Sequence, residues 1–162
     1  MLSGSLAEHL ILKNQVPVLS LKSNRDNLNF SDFLITGDFE IGGVVNLEVL
    51  KKLQEVFNSK MNLLWVNTKS HFLSSAETME RMKNFTKENQ LENVVYHIHN
   101  DKSVEEGIIN FSDNYDATHE QKIDIIAIEK KDKSELGYML TGCQATGFVN
   151  HIYRPLITYI KS

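Results

Sequence analysis

One short segment places a carboxylate directly after an apolar, strand-like run. Gly37 and Asp38 end the run, and Phe39 follows them. In an open α/β sheet, ligands bind beyond the carboxyl ends of the strands. The Asp38 carboxylate is therefore a candidate to bind a ribose, an adenine amino group or a metal-bound water. A turn aspartate or a helix N-cap is the alternative, and the residue pattern leaves both open.

A second segment suits an anion rather than a cation. Residues 129–143 predict an exposed, mobile loop that leads into the last helix of the chain. Gly142 and Cys143 open that helix, where free backbone N–H groups and the helix dipole favour an anion. Cys143 is a candidate for a reactive thiol at this position. The alternative is a small residue at a close contact between elements.

The remaining chemically active side chains do not form a catalytic or metal-binding pattern. His97 and His99 alternate along an apolar run and face the same side of a strand, but no cysteine or acidic partner lies at zinc-ligand spacing. The chain has no Gly-x-Ser-x-Gly elbow, no Walker loop and no evident pair of catalytic carboxylates. The sequence therefore predicts no metal site and no catalytic residue.

Composition limits the classes of protein that remain. The chain has 162 residues, of which 41% are hydrophobic and 23% are charged, so it can bury a sizeable core as one domain. The net charge is −4 without a basic stripe, which argues against nucleic acid and anionic membranes as partners. The single cysteine excludes an internal disulfide and is typical of a reducing, cytoplasmic setting. The sequence shows no basic start followed by an apolar stretch, so no signal peptide is predicted. No apolar run reaches the ~20 residues that a membrane-spanning helix needs.

Apolar, β-branched runs recur at roughly thirty-residue spacing, which is the length of a βα unit. Near-continuous apolar runs predict strands that are buried on both faces of a parallel sheet. The segments between them have helical periodicity, so we predict an α/β, Rossmann-like, doubly wound sheet with helices on both faces. The predicted strands are 33–37, 62–66, 94–98, 123–128 and 155–160.

The helices have faces and start signals of their own. Two segments begin like capping boxes, Ser74 to Glu77 and Ser103 to Glu106. The apolar residues of each helix predict the face that packs on the sheet. For the first helix these residues are Val45, Val49, Leu50, Leu53, Val56 and Phe57.

The two ends of the chain repeat one another. Residues 1–22 align without a gap with residues 139–160, and identical residues occur at Met1, Leu2, Gly4, Ala7 and Pro17 of the first segment. The repeat predicts one extra helix and strand. Because an exposed apolar strand edge promotes aggregation, strand 17–21 is expected to pair antiparallel with strand 155–160. The predicted contact residues are Val18, Leu19, Leu21, Leu156, Ile157 and Tyr159.

These features together resemble the universal stress protein family over most of residues 30–162. The resemblance rests on Gly37-Asp38-Phe39, on Asn100-Asp101 through Glu106-Gly107-Ile108, and on the last helix and strand. It implies a five-stranded parallel sheet of order 3-2-1-4-5, with dimers or tandem domains joined through the last strands. Residues 1–22 resemble the end of a preceding family domain. The expected division is therefore 1–22 as the end of that domain, 23–31 as a linker and 32–162 as a complete family domain.

One branch of this family binds ATP through a glycine motif after the fourth strand. The motif is Gly, two residues, Gly, nine residues and then Gly-Ser or Gly-Thr. In this sequence, Asp132 and Glu135 stand where the motif has its first two glycines. Only the third glycine is kept, as Gly142, and Cys143 replaces the Ser or Thr that follows it. Glu129 also replaces the glycine that usually ends the strand. The resemblance therefore implies a degenerate nucleotide site.

The departures disfavour a triphosphate on physical grounds. Glycine lets backbone N–H groups approach phosphate oxygens, and side chains at these positions would crowd that approach. Each carboxylate about 4 Å from a phosphate charge costs ~4 kcal/mol at an effective dielectric of about 20. Lys130, Lys131 and Lys133 are expected to be exposed and flexible, so they offset only part of this repulsion. The degenerate site would comprise Gly37, Asp38, Phe39, Val66, Ile128, Glu129, Gly142 and Cys143.

Two functions from different classes follow from the resemblance. The first is a non-catalytic stress-response protein without a cofactor, which acts through a homodimer, a preceding domain or another partner at its last strand. The alternative is a switch protein that binds ATP or AMP, through Asp38 and Val66 at the base, with slow hydrolysis. A receiver-type signalling domain is a third reading, for which Asp38 and Asp101 meet the required acidic pattern only in part.

Overall fold

From residue 45 to residue 131, strands and helices alternate along the chain, as the spacing of the apolar runs predicts. The computed structural model describes residues 16–21, 29–40, 42, 45–131 and 152–161. Within these ranges the α/β class is confirmed. The elements are β1 Leu19–Ser20, β2 Asp32–Thr36, β3 Val45–Asn46, α1 Glu48–Phe57, β4 Lys60–Asn67, α2 Ser75–Glu88, β5 Val94–Asn100, α3 Val104–Thr118, β6 Ile125–Lys131 and β7 Leu156–Lys161.

All the described strands belong to one, mostly parallel sheet. Six of them lie in the order β1-β7-β6-β2-β4-β5, and β3 also pairs with β7. β2, β4, β5, β6 and β7 run parallel to their neighbours in this series, whereas β1 and β3 run antiparallel to β7. The central strand β2 is buried along its whole length, which explains its continuous apolar run.

Two apolar cores cover the two faces of the sheet. Successive side chains of a strand point to opposite faces, so Leu34 and Ile35 of β2 belong to different cores. Helix α3 covers the face of Leu34, and helices α1 and α2 cover the face of Ile35. Within the described ranges, no helix has both the length and the apolar character that crossing a bilayer requires.

The start signals of two helices are formed as side-chain contacts. The predicted capping box of α2 is confirmed, because the Ser74 side chain accepts from the Glu77 N–H and the Glu77 side chain accepts from the Ser74 N–H. At α3, Ser103 Oγ accepts from the Glu106 N–H at 3.1 Å, which forms one half of such a box. These caps fix the starts of the helices that follow β4 and β5.

The predicted apolar face of the first helix is wrong at several positions. Helix α1 begins at Glu48, and Val45 lies in β3 instead. Leu50 is only 1% exposed, but Val56 is 74% exposed. The helix lies with Leu50 toward the sheet and Leu53 partly buried against the same core, and this orientation turns Val56 toward solvent. Val49 and Phe57 are accordingly exposed as well.

The predicted antiparallel pairing between the two ends of the chain is confirmed. Leu19 pairs with Ile157, and Ser20 pairs with Leu156. The Thr158 N–H donates to the Val18 carbonyl oxygen at 3.0 Å, and the Val18 N–H donates back to Thr158 Oγ1 at 3.0 Å. The predicted helix at the start of the chain and most of the predicted linker lie outside the described residues.

Val18 packs against the core beneath α3, and the other predicted contact residues contribute to this pairing mainly through their backbone. Leu156, Ile157 and Tyr159 are at most 2% exposed, because their side chains point into the two cores rather than toward β1. Leu19 and Leu21 are 42% and 46% exposed. The edge of β7 is therefore covered by main-chain hydrogen bonds, from β1 at one end and from β3 at the other.

Deletion of residues 1–22 is expected to cause self-association. The deletion removes β1 and exposes the backbone groups of β7 around Thr158, which then template pairing with another chain. Sedimentation of the deletion variant should give a higher mass than that of the full chain under the same conditions. A soluble variant with the mass of the full chain would show that β1 does not protect this edge.

A buried polar network joins the amino-terminal parts of β2 and β4 to helix α3. Lys60 Nζ lies 2.8 Å from Asp32 Oδ1 and donates to Tyr115 Oη at 2.6 Å. Asn62 Nδ2 donates to the same Asp32 oxygen at 3.2 Å. Burial lowers the pKa of Lys60, but its hydrogen bonds to Asp32 and Tyr115 outweigh this and the net pKa is raised. Lys60 is thus held as a cation beside a carboxylate that is 1% exposed.

His97 extends this network to strand β5. Its Nε2 lies 3.0 Å from Asn62 Oδ1, and its ring packs on Phe111 with centroids 4.8 Å apart. Burial, followed by the charges of His119 and Lys60, lowers the pKa of His97 to about 4. The ring is therefore neutral at physiological pH and lies partly buried against Phe111.

Candidate functional site

The carboxyl end of β2 is a tight turn in which Asp38 takes part. Asp38 is 2% exposed, and its Oδ1 accepts from the Glu40 N–H at 3.0 Å. The next residue, Phe39, has a φ of 47°, which is a left-handed conformation. An aspartate that accepts from the backbone two residues on stabilises a turn. This hydrogen bond is the contact that a turn aspartate makes.

The Glu129 carboxylate from β6 lies over the same turn. Glu129 is 2% exposed, and its Oε2 accepts from the Asp38 N–H at 3.3 Å. This contact joins the ends of two adjacent parallel strands, β2 and β6. A protein side chain therefore occupies the place where a ligand of an open α/β sheet usually meets the backbone.

The position of Gly37 has no space for a side chain, because two buried side chains lie against it. A Cβ atom on Gly37 would lie 2.3 Å from Tyr159 Oη and 2.7 Å from Glu129 Oε2. The Tyr159 hydroxyl donates to the Thr36 carbonyl oxygen at 3.1 Å. Burial, followed by the charges of Glu129 and Asp38, raises the pKa of Tyr159 well above its usual range, so the hydroxyl stays protonated. Gly37, Glu129 and Tyr159 thus form one closed packing unit.

The predicted start of the mobile loop is wrong by three residues. Residues 129–131 belong to β6, where Glu129, Lys130 and Lys131 pair with Tyr159, Ile160 and Lys161 of β7. Parallel pairing with β7 satisfies their backbone groups, which a charge pattern in the sequence does not reveal. Lys130 is 2% exposed rather than flexible, and burial lowers the pKa of its ammonium group. It is therefore not an exposed cation that could screen a phosphate.

Three predicted site residues face the cores instead of an open site. Val66 is 0% exposed, and a Cβ on Gly107 of helix α3 would lie only 2.4 Å from its Cγ1. Ile128 is 1% exposed and belongs to the core beneath α3. Phe39 is 0% exposed and packs edge-on against Phe85 with centroids 5.1 Å apart. These side chains support the turn but do not line a cleft.

Strands β4 and β5 both end in an asparagine, and the two amides are joined. Asn67 Nδ2 donates to Asn100 Oδ1 at 3.2 Å. Asn67 Oδ1 accepts from Trp65 Nε1 at 2.8 Å and from the Leu73 N–H at 3.1 Å. Neither asparagine was among the predicted site residues, although Asn100 is part of the family resemblance and the ends of parallel strands are where ligands usually bind.

Arg81 of α2 is a third residue that was not among the predicted site residues. Its guanidinium carbon lies 5.6 Å from the centre of the Trp65 ring, and its Nη1 donates to the Asp38 carbonyl oxygen at 3.5 Å. It comes to the site by tertiary packing of α2, so no local pattern could have indicated it. Arg81 links the turn after β2 to the tryptophan of β4.

An open cavity of about 450 Å³ lies beside this turn and is mainly acidic. Three carboxylates and one guanidinium line it, in addition to one leucine and one asparagine. Because carboxylates repel phosphate oxygens, this lining does not favour a nucleotide. The lining residues are Glu40, Leu73, Glu77, Glu80, Arg81 and Asn84.

Asp101 forms hydrogen bonds with residues near it in the sequence and is distant from Asp38. Its carboxylate accepts from Asn110 Nδ2 at 2.8 Å and from the Lys102 N–H at 2.7 Å, and these hydrogen bonds lower its pKa. Strand β4 separates β5 from β2. At the usual strand spacing, the ends of β2 and β5 are roughly 10 Å apart. The structure does not bring Asp38 and Asp101 together as a receiver domain requires.

The structure thus brings some of the predicted site residues together. Gly37, Asp38 and Glu129 meet at one point, and Tyr159 joins them there rather than at an exposed interface. Gly142 and Cys143 lie outside the described residues. In the part of the chain that the structure describes, no group of three or more His, Cys, Asp or Glu side chains could hold a metal ion.

Comparison with known proteins does not add to this geometry. No protein-family model and no curated protein matches the chain. The functional argument therefore rests on the residues at the ends of β2, β4 and β6.

Proposed function

We propose that this chain is a non-catalytic binding protein of the universal stress protein type, with a nucleotide position closed by its own side chains. The mostly parallel α/β sheet is compatible with that family. Gly37-Asp38-Phe39 lies at the end of β2, where the resemblance implies a nucleotide site. The protein then acts through contacts with partners rather than through a reaction or a cofactor.

The observation that carries the proposal is the position of Glu129. Its carboxylate is buried, accepts from the Asp38 N–H, and lies close to Gly37. A phosphate bound at this turn would need that same N–H group and would meet a negative charge. Such a pair of like charges about 4 Å apart costs ~4 kcal/mol at an effective dielectric of about 20.

The packing of Tyr159 supports the same conclusion. Because Tyr159 is 1% exposed and donates to the Thr36 carbonyl, it cannot move aside without losing a buried hydrogen bond. Losing such a bond costs about 1–3 kcal/mol. A nucleotide would therefore have to displace two well-packed side chains before it gained any contact of its own.

In this proposal the partner contact is not a dimer in which β7 of one chain pairs with β7 of another. The outer edge of β7 is paired with β1 and β3 of the same chain. We propose that β1 stands in for the strand that a second domain would supply in a family pair. A dimer through this edge would first have to displace β1.

The thermal stability of the full chain in the presence of ATP and Mg²⁺ tests the proposal. We expect the melting temperature to be unchanged, with AMP as well as with ATP. A ligand at 100 times its dissociation constant adds about 2.7 kcal/mol. For a chain of this length that corresponds to roughly 5–10 °C. A rise of this size would contradict the proposal and would favour the ATP- or AMP-binding switch, whose hydrolysis would then be measured as phosphate release.

A further inference from the structure

Strand β5 ends the sheet on the side opposite to β7. All seven of its residues, Val94–Asn100, pair in uninterrupted register with Met61–Asn67 of β4. Among the described residues, no strand pairs with its other side. Asn93 O accepts from the Met61 N–H, and the Asp101 N–H donates to Asn67 O. Since these directions alternate along a strand, Val94, Tyr96, Ile98 and Asn100 turn their N–H and C=O groups away from the sheet.

In the part of the chain that the structure describes, this edge has none of the features that usually prevent strand pairing. The segment Val-Val-Tyr-His-Ile-His-Asn contains no Asp, Glu, Lys, Arg, Pro or Gly. Natural edge strands are normally blocked by lysine, proline, a bulge or a covering segment. The β7 edge is covered in that way by β1 and β3. The β5 edge, in contrast, is regular, carries no Asp, Glu, Lys or Arg, and has the length of a typical strand.

Side chains that are mostly apolar or aromatic flank the edge on both faces of the sheet, and two histidines are among them. Val95 is 40% exposed. On the same face, His97 and His99 lie against Phe111 with ring centroids 4.8 and 6.2 Å apart, and all three rings are partly buried. The other face carries Val94, Tyr96 and Ile98, which are also partly buried. Pairing of another strand here would remove more of this apolar surface from water.

We propose that β5 pairs antiparallel with β5 of a second copy of this chain, so that the sheet continues across a two-fold axis. The inference supplies a partner for the binding protein proposed above. An antiparallel two-fold contact brings each strand against its own sequence, and one residue lies directly opposite its own copy. The formal charge of the chain is −4, but none of that charge lies in residues 94–100. A second copy can therefore approach here without placing like charges opposite each other.

The same geometry explains why such an assembly stops at two chains. After β5 has paired, each end of the joined sheet is a β7 edge that β1 and β3 already cover. Within the described residues, the strand edges that remain open belong to β1 and β3, each of which is only two residues long. The contact is isologous and closed, unlike a head-to-tail contact that would grow into a fibre.

A matched pair of lysine substitutions tests the proposal on the full chain. We expect sedimentation equilibrium at micromolar concentration to give twice the chain mass of 18.5 kDa for the wild type. Val95→Lys places a charge beside the edge and should weaken dimerisation by at least about tenfold, or ~1.4 kcal/mol. The control Val56→Lys makes the same change at a 74% exposed position of α1 and should leave the dimer intact.

Amide hydrogen exchange provides a test that needs no variant. The outward N–H groups of Val94, Tyr96 and Ile98 should exchange more slowly as the protein concentration rises, because the partner strand protects them. A monomeric wild type, concentration-independent exchange at these amides, or equal loss of mass in both lysine variants would overturn the proposal. These outcomes are separate from the nucleotide test, since β5 does not contribute to the turn at Asp38.

Discussion

The Gly37→Ala variant is expected to unfold with a free energy about 2–3 kcal/mol below that of the wild type. The added Cβ would lie 2.3 Å from Tyr159 Oη and 2.7 Å from Glu129 Oε2, and both side chains are at most 2% exposed. A buried methyl group without space forces its neighbours off their preferred rotamers, which typically costs 1–3 kcal/mol. Denaturant unfolding at neutral pH measures the loss.

The double variant Gly37→Ala, Tyr159→Phe separates the collision from other effects. Tyr159→Phe alone removes the hydrogen bond to Thr36 and should cost about 1 kcal/mol. Combined with Gly37→Ala it also removes the nearest colliding atom, so the double variant should be more stable than the sum of the two losses predicts. A Gly37→Ala variant within about 0.5 kcal/mol of the wild type would show that this packing unit is not closed.

The second large effect is expected at the amino-terminal part of the sheet. Lys60→Met should lower the free energy of unfolding by about 3 kcal/mol. The change removes the ammonium group that lies 2.8 Å from Asp32, whose side chain is only 1% exposed. Removing one partner of a buried pair leaves an uncompensated charge and typically costs 3–5 kcal/mol. We take the lower end of this range because the Lys60 side chain is 24% exposed.

Two comparisons identify the cause of this loss. Lys83→Met makes the same change at an exposed position of α2 and should alter stability by less than about 0.5 kcal/mol. The double variant Lys60→Met, Asp32→Asn removes both charges and should recover part of the stability that the single variant loses. The buried pair would be unimportant if Lys60→Met behaved like Lys83→Met in chemical denaturation.

The fold was largely predictable because its signals are local. Buried parallel strands require continuous apolar runs, and those runs are present at β2, β4 and β6. The capping box at Ser74 and Glu77 involves two residues three positions apart. The pairing of β1 with β7 was predictable because the repeat at the chain ends left one strand without a partner.

The errors in the fold prediction have physical causes that local pattern does not contain. Glu129, Lys130 and Lys131 have the charge pattern of a loop, yet pairing with β7 makes them part of β6. The face that α1 turns to the sheet depends on its tertiary position, which buries Leu50 and exposes Val56. The two-residue strand β3 is too short to give a periodic signal at all.

The candidate site was predictable only where it is formed by consecutive residues. Gly37 and Asp38 were identified because they end an apolar run. The partners that define their role come from far along the chain, Glu129 from β6 and Tyr159 from β7. Whether Asp38 belongs to a turn or to a ligand site depends on these contacts, which the sequence does not display.

The central claim is that Glu129 and Tyr159 occupy the position at the end of β2 where a nucleotide would bind. Calorimetric titration of the full chain with ATP and Mg²⁺ at neutral pH tests it most directly. The closed turn predicts no saturable heat of binding up to millimolar ATP. Saturable one-site binding in the micromolar range would show that the turn at Asp38 opens to a ligand, and would contradict the account.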